Sequence, residues 1–251
     1  MESVQTELNL FGLVFPDKET ELTELEKKAF DLISLGKENA KAGTYIAGLL
    51  GISTRNLIDL VRTLRLKHCD IGSTTNDGYY RFKNQQEYLG FMNKSEIELA
   101  RRNQVEYAMR FTPMAQKIAI ETNQMASIKN GLNIHGLVFP SQEIELTDLE
   151  KLLFDLIPLG KENAKAGTYI AGLLGISTRN LTELVRRLRL KHCDVGSTTS
   201  DGYYRFLNEQ EYLEFMNKYS IEQARRNQVI DAMRLTPMAK SITIEMNGAV
   251  K

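Results

Sequence analysis

Apolar positions in LTELEKKAFDLISL recur as Leu22, Leu25, Ala29, Leu32 and Ile33, the spacing of one helix face. Thr23, with Glu26 three residues on, predicts a capping box at the start of that helix. A polar, glycine-containing link over 36–43 leads to TYIAGLLG, a short second helix that Gly51 can end in the left-handed conformation. Ser53 is placed to cap a third helix, TRNLIDLVRTLRLK, whose apolar stripe is Leu57, Leu60, Val61 and Leu64. CDIGS and GYYRF, joined through Asn76, Asp77 and Gly78, predict a β-hairpin. Strand alternation puts one tyrosine of Tyr79 and Tyr80 in the core, and one of Tyr203 and Tyr204. From Glu87 the pattern is helical again, and Pro113 suits the first turn of a further helix, PMAQKIAIE.

The whole pattern occurs twice. TYIAGLLGISTRNL begins at Thr44 and again at Thr168, an offset of 124 that also aligns Gly12 with Gly136, Pro16 with Pro140, Tyr80 with Tyr204 and Pro113 with Pro237. No gap is needed between these points, so loop lengths are kept along with residues. A period this long is a duplicated domain and not a solenoid unit. The expected fold class is mainly α with small β-hairpins (α+β), as two domains at 1–124 and 125–251 joined by TNQMASIKNGLNIH. Downstream of the hairpin, Leu99, Val105, Ala108, Met109, Phe111, Met114 and Ile118 carry more apolar surface than so small a domain needs. These helices pack on their own domain or on the other copy, or they offer a docking face to a second protein.

Composition narrows the function classes. Of 251 residues 42% are hydrophobic and 25% charged with zero net charge, which excludes a basic tail or a disordered acidic chain. Any phosphate binding must therefore come from a local patch. Cys69 and Cys193 occupy equivalent places with no disulfide framework, as expected in a reducing cytosol. MESVQTELNLFG lacks the features of a signal peptide, and no apolar run suits a bilayer, so no membrane partner is expected. His68–Cys69 and His192–Cys193 supply at most two ligands each, and neighbouring side chains diverge along a strand, so no metal and no cofactor is expected. No catalytic set accompanies these histidines or His135, which argues against an enzyme.

The third helix carries the candidate chemistry. Opposite its apolar stripe lie Arg55, Asp59 and Arg62, flanked by Ile58 and Thr63. Arg55 is placed to donate in bidentate fashion to guanine, while Thr54 and Asn56 suit phosphate or a base edge. Asp59 either holds Arg55 and Arg62 together or accepts from cytosine N4. Between Ser53 and His68 four cations face one carboxylate, a local balance of +3. The second copy offers Thr178, Arg179, Asn180, Glu183 and Arg186, and Arg187 raises its balance to +4, suggesting a firmer grip on phosphates. Arg81 and Arg205, after each hairpin, are candidates for backbone contact; the hairpin tip STTND has no cation. In the duplicated stretch, the opening through the turn is expected to be kept for packing, and TRN for recognition.

IAGLLGISTRNLIDLVRTLR followed by HCDIGSTTNDGYYRF resembles the winged helix-turn-helix domains of bacteriophage and bacterial mobile-element proteins. The likeness covers about 30–90 and 154–214, departing in the uncharged wing tip and the long C-terminal helices. It implies two tandem winged helices that bind DNA in repression or replication control, and in some members anti-defence activity. It also implies that Thr54, Arg55, Asn56, Asp59 and Arg62, with Thr178, Arg179, Asn180, Glu183 and Arg186, are the reading side chains. The expected partner is double-stranded DNA with two related half-sites, bound by a monomer with internal pseudo-symmetry or a dimer of it. The alternative is an antagonist of a host protein, such as an anti-CRISPR or other nuclease inhibitor, docking through its C-terminal helices or the winged helices themselves.

Overall fold

Thr23 and Glu26 exchange their expected hydrogen bonds at the start of α1 (Glu24–Leu32), and Thr147 and Glu150 do the same at α6 (Asp148–Leu156). The structure, a computed structural model, describes residues 15–16, 20–74, 78–130, 145–198, 200 and 202–248, with the backbone alone for 122–130 and 246–248. The N-terminal MESVQTELNLFG, turn residues 75–77 and His135 lie outside the described residues.

In the first repeat, α2 (Gly43–Leu50) and α3 (Thr54–Leu66) are followed by β2 (Ile71–Ser73) and β3 (Gly78–Arg81). In the second, α7 (Gly167–Leu174) and α8 (Thr178–Leu190) precede β5 (Val195–Ser197) and β6 (Gly202–Arg205). Each hairpin gains a third antiparallel strand, β1 (Lys41–Ala42) or β4 (Lys165–Ala166), giving the orders β1-β3-β2 and β4-β6-β5. These strands fall in what reads as a polar link, because two residues are too few to carry a period. Long helices follow: α4 (Gln85–Met109) and α5 (Pro113–Asn130), then α9 (Glu209–Met233) and α10 (Pro237–Gly248). The described chain is thus mainly helical with two small antiparallel sheets, the expected α+β class. Helix α5 runs into the supposed linker, as far as Asn130.

Tyr80 and Tyr204 are buried and Tyr79 and Tyr203 half-buried, as strand alternation requires. Glycine at 72 is enforced by this packing, since a Cβ there would lie 2.6 Å from the Tyr80 ring. One core joins α1, α2 and α3 through Ala29, Ile33, Ile46, Leu57, Val61 and Leu64.

The domain boundaries need correction. The compact units are Met1–Leu99 with Ala224–Lys251, and Ala100–Gln223, instead of 1–124 and 125–251. Of the packing alternatives for the C-terminal helices, the one realised is packing on the other copy. In the first unit, Tyr80, Phe82, Tyr88 and Met92 share a core with Ile230, Met233, Ala239 and Ile242. In the second, Tyr204, Phe206, Tyr212 and Phe215 pack with Val105 and Met109.

Polar clamps reinforce both cores at the helix corners, where backbone groups lack partners within the helix. Tyr88 donates to the Met233 carbonyl at 3.1 Å, His68 Nδ1 lies 2.9 Å from the Ala232 carbonyl, and Asp70 accepts from the Met238 N–H at 3.1 Å. Tyr212 and His192 bond the carbonyls of Met109 and Ala108 in the second unit, and Asp194 accepts from the Met114 N–H. His68 and His192 have φ of 63° and 61°, just after the caps of α3 and α8, where glycine is common. A histidine there accepts a strained backbone and brings an imidazole to the carbonyl. The histidines of the two His–Cys pairs thereby acquire a structural task.

Candidate nucleic-acid interface

The turn between α2 and α3 is built by local chemistry. Gly51 ends α2 at φ 67°, the Ile52 N–H bonds the Ala47 carbonyl, and the Ser53 hydroxyl accepts from the Asn56 N–H to open α3. Gly175, Ile176 and Ser177 repeat this before α8. With Leu57, Val61 and Leu64 buried, α3 necessarily turns Thr54, Arg55, Asn56, Ile58 and Asp59 to solvent. Thr178, Arg179, Asn180, Thr182 and Glu183 are exposed on α8 in the same way. Among the described residues, none of the side chains of Thr54, Arg55, Asn56, Thr178, Arg179 and Asn180 makes an ion pair or hydrogen bond within the chain.

The other expected contact residues, Asp59 excepted, are engaged elsewhere. Arg62 is half-buried, its Nη2 3.4 Å from Gln228 Oε1. Arg186 forms a two-pronged pair with Glu183 at 2.7 and 3.0 Å, which holds the Glu183 carboxyl below the usual range. Asp59, one methylene shorter, is in no ion pair with Arg55 or Arg62 among the described residues, so only the second copy realises the expected acid–arginine contact. Arg187, expected as a phosphate contact, is committed to an acid although its side chain is 43% exposed. It binds Glu150 at 2.6 Å, and the firmer grip expected of the second copy loses its basis. Arg81 and Arg205 stack their guanidiniums 4.9 Å from the rings of Phe30 and Phe154, and Arg205 Nε also bonds the Ile157 carbonyl. Both therefore brace the sheet against α1 or α6.

The local balances of +3 and +4 consequently overstate the outward charge. Arg65 is half-buried, bonding the Ile71 carbonyl and stacking on Phe91, and Lys67 pairs with Glu26 at 2.7 Å. Arg189 and Lys191 are occupied in the same way, through the Val195 carbonyl and Glu150. Arg55 and Arg179 are the exposed cations of α3 and α8, the others being half-buried.

The duplicated stretch holds a surface feature that periodicity missed. Tyr45 and Leu49 are 56% and 54% exposed on α2, and Tyr169 and Leu173 are equally so on α7. Ile46, Ala47, Gly51 and Ser53 serve the turn and packing as expected for this part, whereas these four side chains are not held by the core, Lys165 alone lying over the Tyr169 ring at 5.7 Å. The only signal in the sequence was their identity in the two copies. Among the described residues there is no group of three metal ligands and no helix long and apolar enough to cross a membrane. No family model, curated protein or solved structure matches the chain.

Proposed function

We propose that the chain is a sequence-specific double-stranded DNA-binding protein of tandem winged helix-turn-helix build, acting in the bacterial cytosol as a transcriptional or replication regulator of a phage or mobile element. The observation that carries this reading is the unengaged Thr–Arg–Asn triplet on the leading turn of α3 and again of α8. Arginine at the start of a helix suits bidentate donation to guanine O6 and N7, with Thr and Asn to the sides. Helix α2 begins without a side-chain cap, and Thr44 and Tyr45 are exposed in its first turn, which suits phosphate contact beside the reading helix. Two heads in one chain make the second docking step intramolecular.

Arg55→Ala combined with Arg179→Ala is expected to abolish site selection, each lost bidentate contact costing about 1–3 kcal/mol. Duplex selection and titration, with the melting temperature unchanged, check this. Unaltered site choice in the double variant would remove these arginines from the reading role.

A second reading has its own support. The exposed Tyr45, Leu49 and Ile58, with so few outward cations, also suit a protein-binding antagonist of a host factor. Such a protein would form a stoichiometric complex and select no duplex.

A further inference from the structure

The two heads share their leading turn but differ one turn further along. On α3, Ile58 is 56% exposed, and Asp59 is exposed with no ion pair among the described residues. At the matching places on α8, Thr182 spends its hydroxyl on the Thr178 carbonyl at 3.0 Å, and Glu183 is neutralised by the Arg186 fork. The cause is chain length and partner choice. Glutamate reaches the guanidinium three residues on, whereas Asp59 is shorter and Arg62 lies against Gln228 instead. A carboxylate engaged by a guanidinium has less capacity for a base edge, while an unengaged one is a strong acceptor.

We propose that the heads read unlike half-sites: Asp59 selects cytosine through its N4 amino group and Ile58 an adjoining thymine through its methyl, while α8 makes neither selection. This rests on the DNA-binding reading above. It turns an expected difference in grip into a difference in sequence. The acceptor-to-donor pairing of carboxylate with cytosine N4, and the fit of an apolar side chain to the thymine methyl, follow from the major-groove pattern.

The test is selection from random duplexes by the full chain as wild type, Asp59→Asn and Glu183→Gln. The wild type should enrich a site whose halves agree opposite the Thr–Arg–Asn triplets and differ at one or two pairs beyond. Asp59→Asn should relax the cytosine preference in one half by roughly tenfold or more. Glu183→Gln should leave the selected sequence unchanged. Enrichment of two identical halves, or equal relaxation by both variants, overturns the proposal while leaving DNA binding intact. Enrichment of no duplex by the wild type overturns the DNA-binding reading and this proposal together.

Discussion

Ending the chain after Gln223 is expected to unfold the sheet side of the N-terminal repeat and to leave the second unit folded. The first unit takes Ile230, Met233, Ala239 and Ile242 into the core around Tyr80, Phe82, Tyr88 and Met92. Burial of each large apolar side chain is worth about 1.5–3 kcal/mol, and Ile230, Met233 and Ile242 are lost together. Whole-domain stabilities are about 5–15 kcal/mol, so this loss alone is comparable with the total. The same cut removes the partners of Tyr88, His68 and Asp70 and leaves buried polar groups unpaired. Hydrogen exchange on the shortened chain should show lost protection at 78–92 and retained protection at 202–216. Loss at 202–216 instead is what two consecutive domains would give, and it would contradict the exchange of helices.

Glu150→Gln is expected to destabilise the second unit more than Glu26→Gln destabilises the first. The Glu150 side chain is fully buried, where it closes the α6 capping box and pairs with Lys191 at 2.7 Å and Arg187 at 2.6 Å. Burial raises its pKa, but Lys191, the Thr147 N–H and Arg187 outweigh that and hold the carboxyl down at about 2. The folded value lies below the ordinary 4.5, so the stabilisation is fully present above that pH and is lost as pH falls from there towards 2. The shift corresponds to about 3 kcal/mol at most. Lys191 and Arg187 keep some solvent access, 24% and 43%, and recover part of their hydration when the acid is gone, so about 2 kcal/mol is expected at pH 7. Among the described residues Glu26 has Lys67 as its one salt-bridge partner, with Thr63 standing where the second repeat has Arg187. Denaturant melts at pH 7 and pH 3 check both points: the gap between wild type and Glu150→Gln should shrink in acid. A gap that stays constant would mean the carboxylate is not held in its charged form by these partners.

What was legible in the sequence was whatever is decided within a few residues. The Thr23 and Thr147 boxes, the Gly51 and Gly175 turns, the Ser53 and Ser177 caps and the start of α5 at Pro113 all follow from local hydrogen bonding and backbone preference. Helix exchange was not legible, for a reason the duplication itself supplies. Val105 and Met109 recur as Val229 and Met233, and Met114 and Ile118 as Met238 and Ile242, so these apolar positions alone do not choose between the two hairpins, although Glu106 stands where the second copy has Ile230. The candidate site divides in the same way. Exposure of Thr54, Arg55 and Asn56 follows from the apolar stripe alone. The fates of Arg62, Arg81, Arg187 and Arg205 depend on Gln228, Phe30, Glu150 and Phe154, each remote in sequence. A charge count along one helix cannot register such partners, which is why the basic face of α3 and α8 reduces to Arg55 and Arg179.

The proposed role of these two arginines, at the head of a pair of DNA-reading helices, is tested most directly by selection with the purified full chain from random duplexes at near-physiological salt, with mass-spectrometric identification of co-purifying proteins alongside. The predicted result is an enriched duplex carrying two related half-sites. No enriched duplex, with a stoichiometric protein partner recovered in its place, would contradict that role and favour the antagonist reading.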